Sequence, residues 1–401
     1  MHVVFDVSSL QNIWLIAAIW MALAFLGSLI SIRFGIAAAL VEIMLGILAG
    51  NFIALRSNVW IDFLAGFGSI LLTFLAGAEI NPAFLKRRWR PVISVGLLSF
   101  LAPFAAAMLF ALLAVHWDFN AAKIAGLAMS TTSVAVVYAV MVESGLAGTE
   151  LGQFILAACF VTDLGTVVAL GLLFANVNAW LALFVGVSVV VIGFAPRFVP
   201  SLFVRMGDRV SEPGARFLFL IIFTLSGLAT LANSEGVLPA YFLGFSCAGF
   251  LLSHREFARG LRRTTMSLLT PFFFIKAGTL VSLTQAVAGV WAIAAFFLVK
   301  FVAKVLAVFP AARALRYNAS DAAYLTLMMA TGLTFGTICS LYGLTHGYIT
   351  QAQYTTLVTV VILTAIIPTM IAQRHFPPSQ EVFEAESGGL AEIEVRLPTE
   401  R

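Results

Sequence analysis

The sequence predicts an all-α membrane protein of about thirteen transmembrane helices, built from two inverted-topology halves with one broken helix in each. Three observations predict it. Of 401 residues, 61% are hydrophobic and only 10% charged, with a mean hydropathy of +1.02. A soluble domain carries about 25% charged and about 45–50% apolar residues, so this chain has too few polar residues to cover a water-facing surface. The apolar residues also come in blocks of roughly 20, the length a helix needs to cross a hydrocarbon core of about 30 Å. A transmembrane β-barrel would instead alternate apolar and polar residues over about ten positions. Finally, two blocks that lie seven crossings apart are interrupted at their centres by Gly, Ser and Thr.

The expected spans are 13–31, 34–55, 60–80, 92–115, 121–142, 150–174, 179–195, 216–233, 236–252, 266–283, 288–309, 321–343 and 352–373. Residues 1–12 contain no Lys or Arg, whereas a cleaved leader carries a basic start, so the first span is expected to be retained. Assigning the connections to alternate sides separates the cations. One side collects Arg33, the Lys86-Arg87-Arg88-Trp89-Arg90 cluster, the arginines of 196–216, Arg255, Arg259, Arg262, Arg263, Arg313, Arg316 and Arg374. The other collects only Arg56 and Lys123. The positive-inside rule makes the first side cytoplasmic, with the N-terminus outside and the C-terminus inside. Residues 1–375 then form one membrane domain, with 196–215 a cytoplasmic linker between its halves. The short acidic tail 376–401 is too poor in apolar residues to fold alone and is expected to be disordered.

The net charge of +4 does not point to nucleic acid, because the basic residues sit in short loops where they set orientation. Cys159, Cys247 and Cys339 lie inside apolar blocks without metal-ligand spacing, and no cofactor is implied. An intramembrane aspartyl protease needs two midplane aspartates, and only Asp163 stands in the middle of a span. A Ser-His enzyme needs a membrane histidine, yet His2, His116, His254, His346 and His375 all lie at or beyond span ends. The sequence therefore argues against an enzyme.

Ionisable groups at membrane depth are costly and mark functional sites by default. Asp163 is near the midpoint of the sixth span and Lys300 near that of the eleventh. Lys304 lies one turn nearer the cytoplasm, from where its amine can snorkel to the interface. Lys276 has no partner evident in the sequence. Glu42 is near the middle of the second span and serves either a polar helix contact or ion handling. Glu79 and Glu143 lie toward span ends, within reach of interfacial water. The fifth span carries Ser130-Thr131-Thr132-Ser133 and the twelfth Thr331-Gly332-Leu333-Thr334-Phe335-Gly336-Thr337. Such hydroxyls can bond carbonyls one turn earlier, but as a pair in oppositely directed halves they point to an inverted-repeat secondary transporter. Unwound middles would bring helix ends and free backbone groups to the midplane beside Asp163.

At these residues the chain resembles the monovalent cation:proton antiporter-2 family, with its NapA-type and Kef-type members. The matching stretches are Leu71–Ile80, Met129–Val137, Phe160–Val167, Pro271–Phe274 and Leu298–Phe301, in the family's order over about residues 10–375. The resemblance implies a NapA/NhaA-like fold with a dimerisation domain and a mobile core domain, hence a homodimer in a bacterial inner membrane. It also implies exchange of Na⁺, or K⁺, for protons by alternating access. The family's ion-binding aspartate maps to Asp163 and its core-domain basic residue to Lys300; from the interrupted helices and the position beside Asp163, the other expected ion-binding residues are Thr131, Thr132, Ser133 and Thr162, with Lys304, Thr334 and Glu42 as secondary candidates. Where family members carry Asp-Asp or Asn-Asp, this chain has Thr162-Asp163, so one titratable carboxylate stands where electrogenic members have two. A sodium-coupled organic solute symporter shares the inverted repeats and a midplane Asp. A channel is disfavoured, because no filter-like segment repeats.

Overall fold

The computed structural model describes residues 12–34, 38–78, 82–144, 146, 149–174, 179–206, 212–232 and 236–376. The acidic tail beyond Phe376, Glu79, and the side chain of Glu143 lie outside the described residues. All regular structure among the described residues is helical, in the order α1 (Ile13–Phe34), α2 (Ala38–Phe52), α3 (Val59–Ala78), α4 (Pro82–Leu113), α5 (Phe119–Ser130), α6 (Val134–Glu143), α7 (Glu150–Phe174), α8 (Ala179–Met206) and α9 (Pro213–Leu231). There follow α10 (Val237–Ser253), α11 (Arg255–Thr264), a π-helical turn (Thr265–Leu269), α12 (Thr270–Thr279), α13 (Leu283–Ala288), α14 (Val290–Ala314), α15 (Ala319–Met329), α16 (Thr334–Thr345) and α17 (Gln351–His375). Nine helical segments among the described residues are long and apolar enough to cross a membrane. Ala38–Phe52 and Pro239–Ser253 are shorter apolar helices. The chain is thus a multi-pass integral membrane protein.

Local chemistry sets where the helices start and stop. The Asp118 carboxylate accepts from the Asn120 and Ala121 N–H groups to start α5. Asn318 does the same for α15, its side-chain oxygen accepting from Asp321 N at 2.7 Å. Both caps satisfy donors that a helix leaves orphaned. Thr350 opens α17 with a reciprocal capping box to Gln353. α5 stops because Thr131 turns extended (φ −63°, ψ 151°), and α16 starts after Leu333 at φ −150°, ψ −71°. The fifth and twelfth expected spans are therefore broken helices, α5–α6 and α15–α16.

Most of the expected linker 196–215 is helical, since α8 runs on to Met206 through Pro196 and Pro200 and α9 begins at Pro213; residues 207–211 lie outside the described ones. Two expectations are corrected. Arg255–Thr264, read as loop, is a strongly amphipathic helix, α11. The basic cluster 86–90 is the first part of α4, which bends at Arg88 (φ −117°, ψ 23°) before its apolar part.

The helices divide into two bodies. α4–α7 pack among themselves and with α13–α17, and α1–α3 pack with α8–α12 through the π turn. The main direct contact between the bodies is α10 against α7. Within the first body α4 packs on α5 and α7 as α14 packs on α15 and α17, and α4 packs on α14 across the centre. Within the second, two glycine seams let backbones touch. A Cβ on Gly278 of α12 would lie 2.2 Å from the Ile43 carbonyl of α2, and one on Gly244 of α10 would lie 2.0 Å from the Phe74 carbonyl of α3. Shifting the span order by seven converts the first seam into the second, as inverted repeats require.

The link from α12 to α13 is bonded to both bodies in turn. The Asn51 amide on α2 donates to Val281 O at 2.8 Å and its oxygen accepts from Leu283 N at 3.0 Å. Alternating with these, Gln351 donates to Leu280 O and Thr355 accepts from Ser282 N, both from α17.

Candidate functional site

The two breaks meet each other. Ser130 and Thr131 turn back to donate to Leu127 O and Ala128 O at 2.8 and 3.0 Å, closing carbonyls that the end of α5 leaves free. Thr132 instead donates across to Met329 O, the last residue of α15, at 3.1 Å. Ser133 and Thr334 share a hydrogen bond of 3.3 Å, and the Ser133 hydroxyl also accepts from Val136 N at the start of α6. All four hydroxyl residues 130–133 are fully buried. So the structure brings together Thr131, Thr132, Ser133 and Thr334.

α14 supplies one lysine to each break. Lys304 donates to Ser99 Oγ at 2.8 Å, Ser130 O at 2.9 Å and Thr132 Oγ1 at 3.2 Å. It places an ammonium at the C-terminal, electronegative end of α5. Lys300, one turn away on the same face, donates to Thr364 Oγ1 at 3.2 Å and lies over the second break, where a Cβ on Gly332 would come within 2.3 Å of its amine. Lys304 is fully buried, so the expected reach to the interface does not occur: Ser99 of α4 and the break after α5 offer three acceptors closer at hand.

Asp163 is 1% exposed on α7, the helix that packs on α5, α6, α15 and α16. Its Oδ1 has no hydrogen-bond partner, and no lysine lies within ion-pairing distance of it among the described residues. Lys300 is therefore not its direct partner. Neighbouring Thr162 donates to Ala158 O at 3.0 Å and to Gly96 O of α4 at 3.3 Å. It packs helices where a second carboxylate would need solvation.

Two other sequence candidates fall elsewhere. Glu42 is 4% exposed with Oε2 unpartnered, but it faces Gly27 of α1 in the other body. Lys276 pairs with Asp62 of α3 at 2.7 Å, a partner 214 positions away that the sequence did not reveal. Sequence reasoning also passed over Ser99, Thr364 and Tyr241. Tyr241 of α10 stacks on Phe160 (centroids 5.1 Å apart) and donates to Phe160 O at 3.0 Å, one turn before Asp163. Each is an uncharged polar group among others in its span, so the sequence carried no signal that singled it out. Away from the crossing, Arg88 pairs with Glu150 at the start of α7, and burial, with Glu150 nearby, pushes the Tyr317 phenol up to about 12.

This arrangement matches known proteins along most of its length. A Na⁺/H⁺ antiporter of Enterococcus hirae is 25% identical over 359 residues, covering 86% of this chain and 93% of that protein. The Na⁺/H⁺-K⁺ antiporter GerN of Bacillus cereus is 23% identical, covering 89% and 94%. The solved structure of the sodium proton antiporter MjNhaP1 from Methanocaldococcus jannaschii superposes with a TM-score of 0.69 at 17% identity, covering 91% of this chain and all of that one; this is a likeness of fold. The family model described as sodium/hydrogen exchanger, transmembrane, matches residues 21–374. The chain belongs to the sodium/hydrogen exchanger transmembrane family.

Proposed function

We propose that this chain is a secondary antiporter that exchanges a monovalent cation, Na⁺ first and K⁺ second, for protons by alternating access, with Asp163 as the shared cation and proton site. The observation that carries the reading is a fully buried carboxylate with an unpartnered oxygen beside two crossing helix breaks. A carboxylate out of water needs a proton or a cation, and the breaks supply hydroxyls and backbone oxygens that suit a small hard cation. Both ligands compete for one group, which couples their movements. Thr131, Thr132, Ser133 and Thr334 line the crossing, Lys304 holds the end of α5, and Lys300 covers the second break. The division into two bodies, joined mainly through α10 and α7, supports rigid-body motion of the Asp163 body against the other.

In the same reading the chain makes thirteen crossings, each on a helix or a broken pair, with the N-terminus outside and the C-terminus cytoplasmic in the bacterial inner membrane. The exposed apolar face of α1, with Trp14, Phe25 and Ile32, is available to lipid or to the second copy of a homodimer. Relatives named as Na⁺/H⁺ and Na⁺/H⁺-K⁺ antiporters support the choice of cations. The test is reconstitution into vesicles holding a pH dye, with Na⁺, K⁺, Li⁺ and choline added in turn. Na⁺ is expected to shift the internal pH and choline to leave it unchanged. A flat response to every cation, with sodium-dependent uptake of an organic solute instead, would favour the symporter.

A further inference from the structure

A cleft of about 710 Å³ opens between the N-terminal end of α9 and the amphipathic helix α11, remote in sequence from the helix crossing. Arg216, Arg259 and Arg263 line it with Glu212 and Glu256, over an apolar wall that includes Phe219 and Phe257. No ion pair links these guanidiniums and carboxylates among the described residues. Three positive groups against two negative ones leave one net positive charge facing the cleft.

We propose that this cleft binds the phosphate headgroup of an anionic phospholipid. Guanidinium groups present paired N–H donors that match phosphate oxygens, and basic pockets at the cytoplasmic ends of membrane helices suit anionic headgroups. The abundance of arginine on this side places the cleft at the cytoplasmic interface. The apolar continuation selects a lipid over free phosphate. Arg216, Leu220 and Phe223 follow at i, i+4 and i+7 on α9, one face of the helix, and Leu220 and Phe223 are 60% and 43% exposed. A phosphate on Arg216 therefore sends its acyl chain along Leu220 and Phe223 into the bilayer. Arg259 and Arg263, one turn apart on α11, close on the phosphate from the other side. The bound lipid then ties α9 to α11, two elements of one body. Glu212 lies one turn beyond Arg216 on the side away from the bilayer, so its charge is set back from the phosphate.

The experiment measures thermal unfolding of the purified full chain in a neutral detergent, with phosphatidylglycerol, phosphatidylcholine or inorganic phosphate added. Phosphatidylglycerol is expected to raise the Tm, with neither phosphatidylcholine nor phosphate reproducing the shift. The shift should fall by at least half in Arg259→Gln/Arg263→Gln and persist in Arg255→Gln, a change on the same helix outside the cleft. Arg216→Gln serves as a second, single-site variant should the double one unfold. Equal shifts from phosphatidylglycerol and phosphatidylcholine, a full shift from phosphate alone, or an undiminished shift in the cleft variants would each overturn the proposal. Because the readout is lipid-dependent stability, its failure leaves the exchange reading untouched, and the reverse holds too.

Discussion

Two lysines one turn apart on α14 divide the work at the crossing unequally. Lys304 has three oxygen acceptors on two other helices, whereas Lys300 has the single hydroxyl of Thr364. Removing Lys304 strands buried acceptors at the end of α5, and each unsatisfied buried polar group costs about 1–3 kcal/mol. Lys304→Ala is therefore expected to lower the Tm more than Lys300→Ala, as read by thermal unfolding in detergent; the reverse order would contradict the assignment of Lys304 as the clamp on α5. The depth of Asp163 and the helix break at 130–133 were legible in the sequence, because costly groups at membrane depth stand out in an apolar block. The duties of the lysines were not. Lys304 sits nearer the span end and so reads as a snorkelling residue, and its partners Ser99, Ser130 and Thr132 lie 205 to 172 positions away.

The helices themselves were largely legible, since block length, charge and interruption fix a membrane helix with little ambiguity. What the pattern concealed was how closely they approach. Gly244 and Gly249 both look like ordinary small residues of α10. Only Gly244 faces a carbonyl, that of Phe74, while a Cβ on Gly249 meets nothing within 4 Å. Gly244→Ala must push α10 off α3 and is expected to cost about 1–3 kcal/mol, the usual penalty of overpacking. Gly249→Ala should be neutral or stabilise by about 0.5–1 kcal/mol through helix propensity. Chemical or thermal unfolding of the two variants decides it, and equal destabilisation would mean the seam is not tight. α11 was missed for a different reason. Its arginines were counted as loop charges, although positions 259 and 263 already had helical spacing. The α12–α13 link carries a further expectation. Asn51→Ala removes the anchor of that link to α2 while leaving its bonds to α17. Exchange rate should change more than apparent cation affinity, and an unchanged rate in vesicles would show that the link does not govern motion between the bodies.

At the scale of the whole molecule, the two bodies, and the two breaks that meet within one of them, agree with the inverted repeat that the sequence pattern suggested. The sequence could not show that α10 and α7 make the main contact between those bodies, because helices far apart in order leave no joint periodicity. Stoichiometry also belongs to this scale. Thr162 is bonded to backbone oxygens and cannot titrate, so under the proposed mechanism, with Asp163 as the one shared site, exchange is expected to carry no net charge per cycle. Exchange in Na⁺-loaded vesicles should be indifferent to a membrane potential set with valinomycin and K⁺. A steep dependence would place a second proton on Lys300. The proposed exchange cycle rests on Asp163 as the group for which cation and proton compete. The most direct measurement compares wild-type chain with Asp163→Asn in the same pH-dye vesicles under an imposed Na⁺ gradient, with the Tm of both proteins recorded. Asn keeps the side-chain shape and loses the titration, so the variant should remain folded and show no Na⁺-dependent pH change. A folded variant that still exchanges Na⁺ for protons at the wild-type rate would contradict the account.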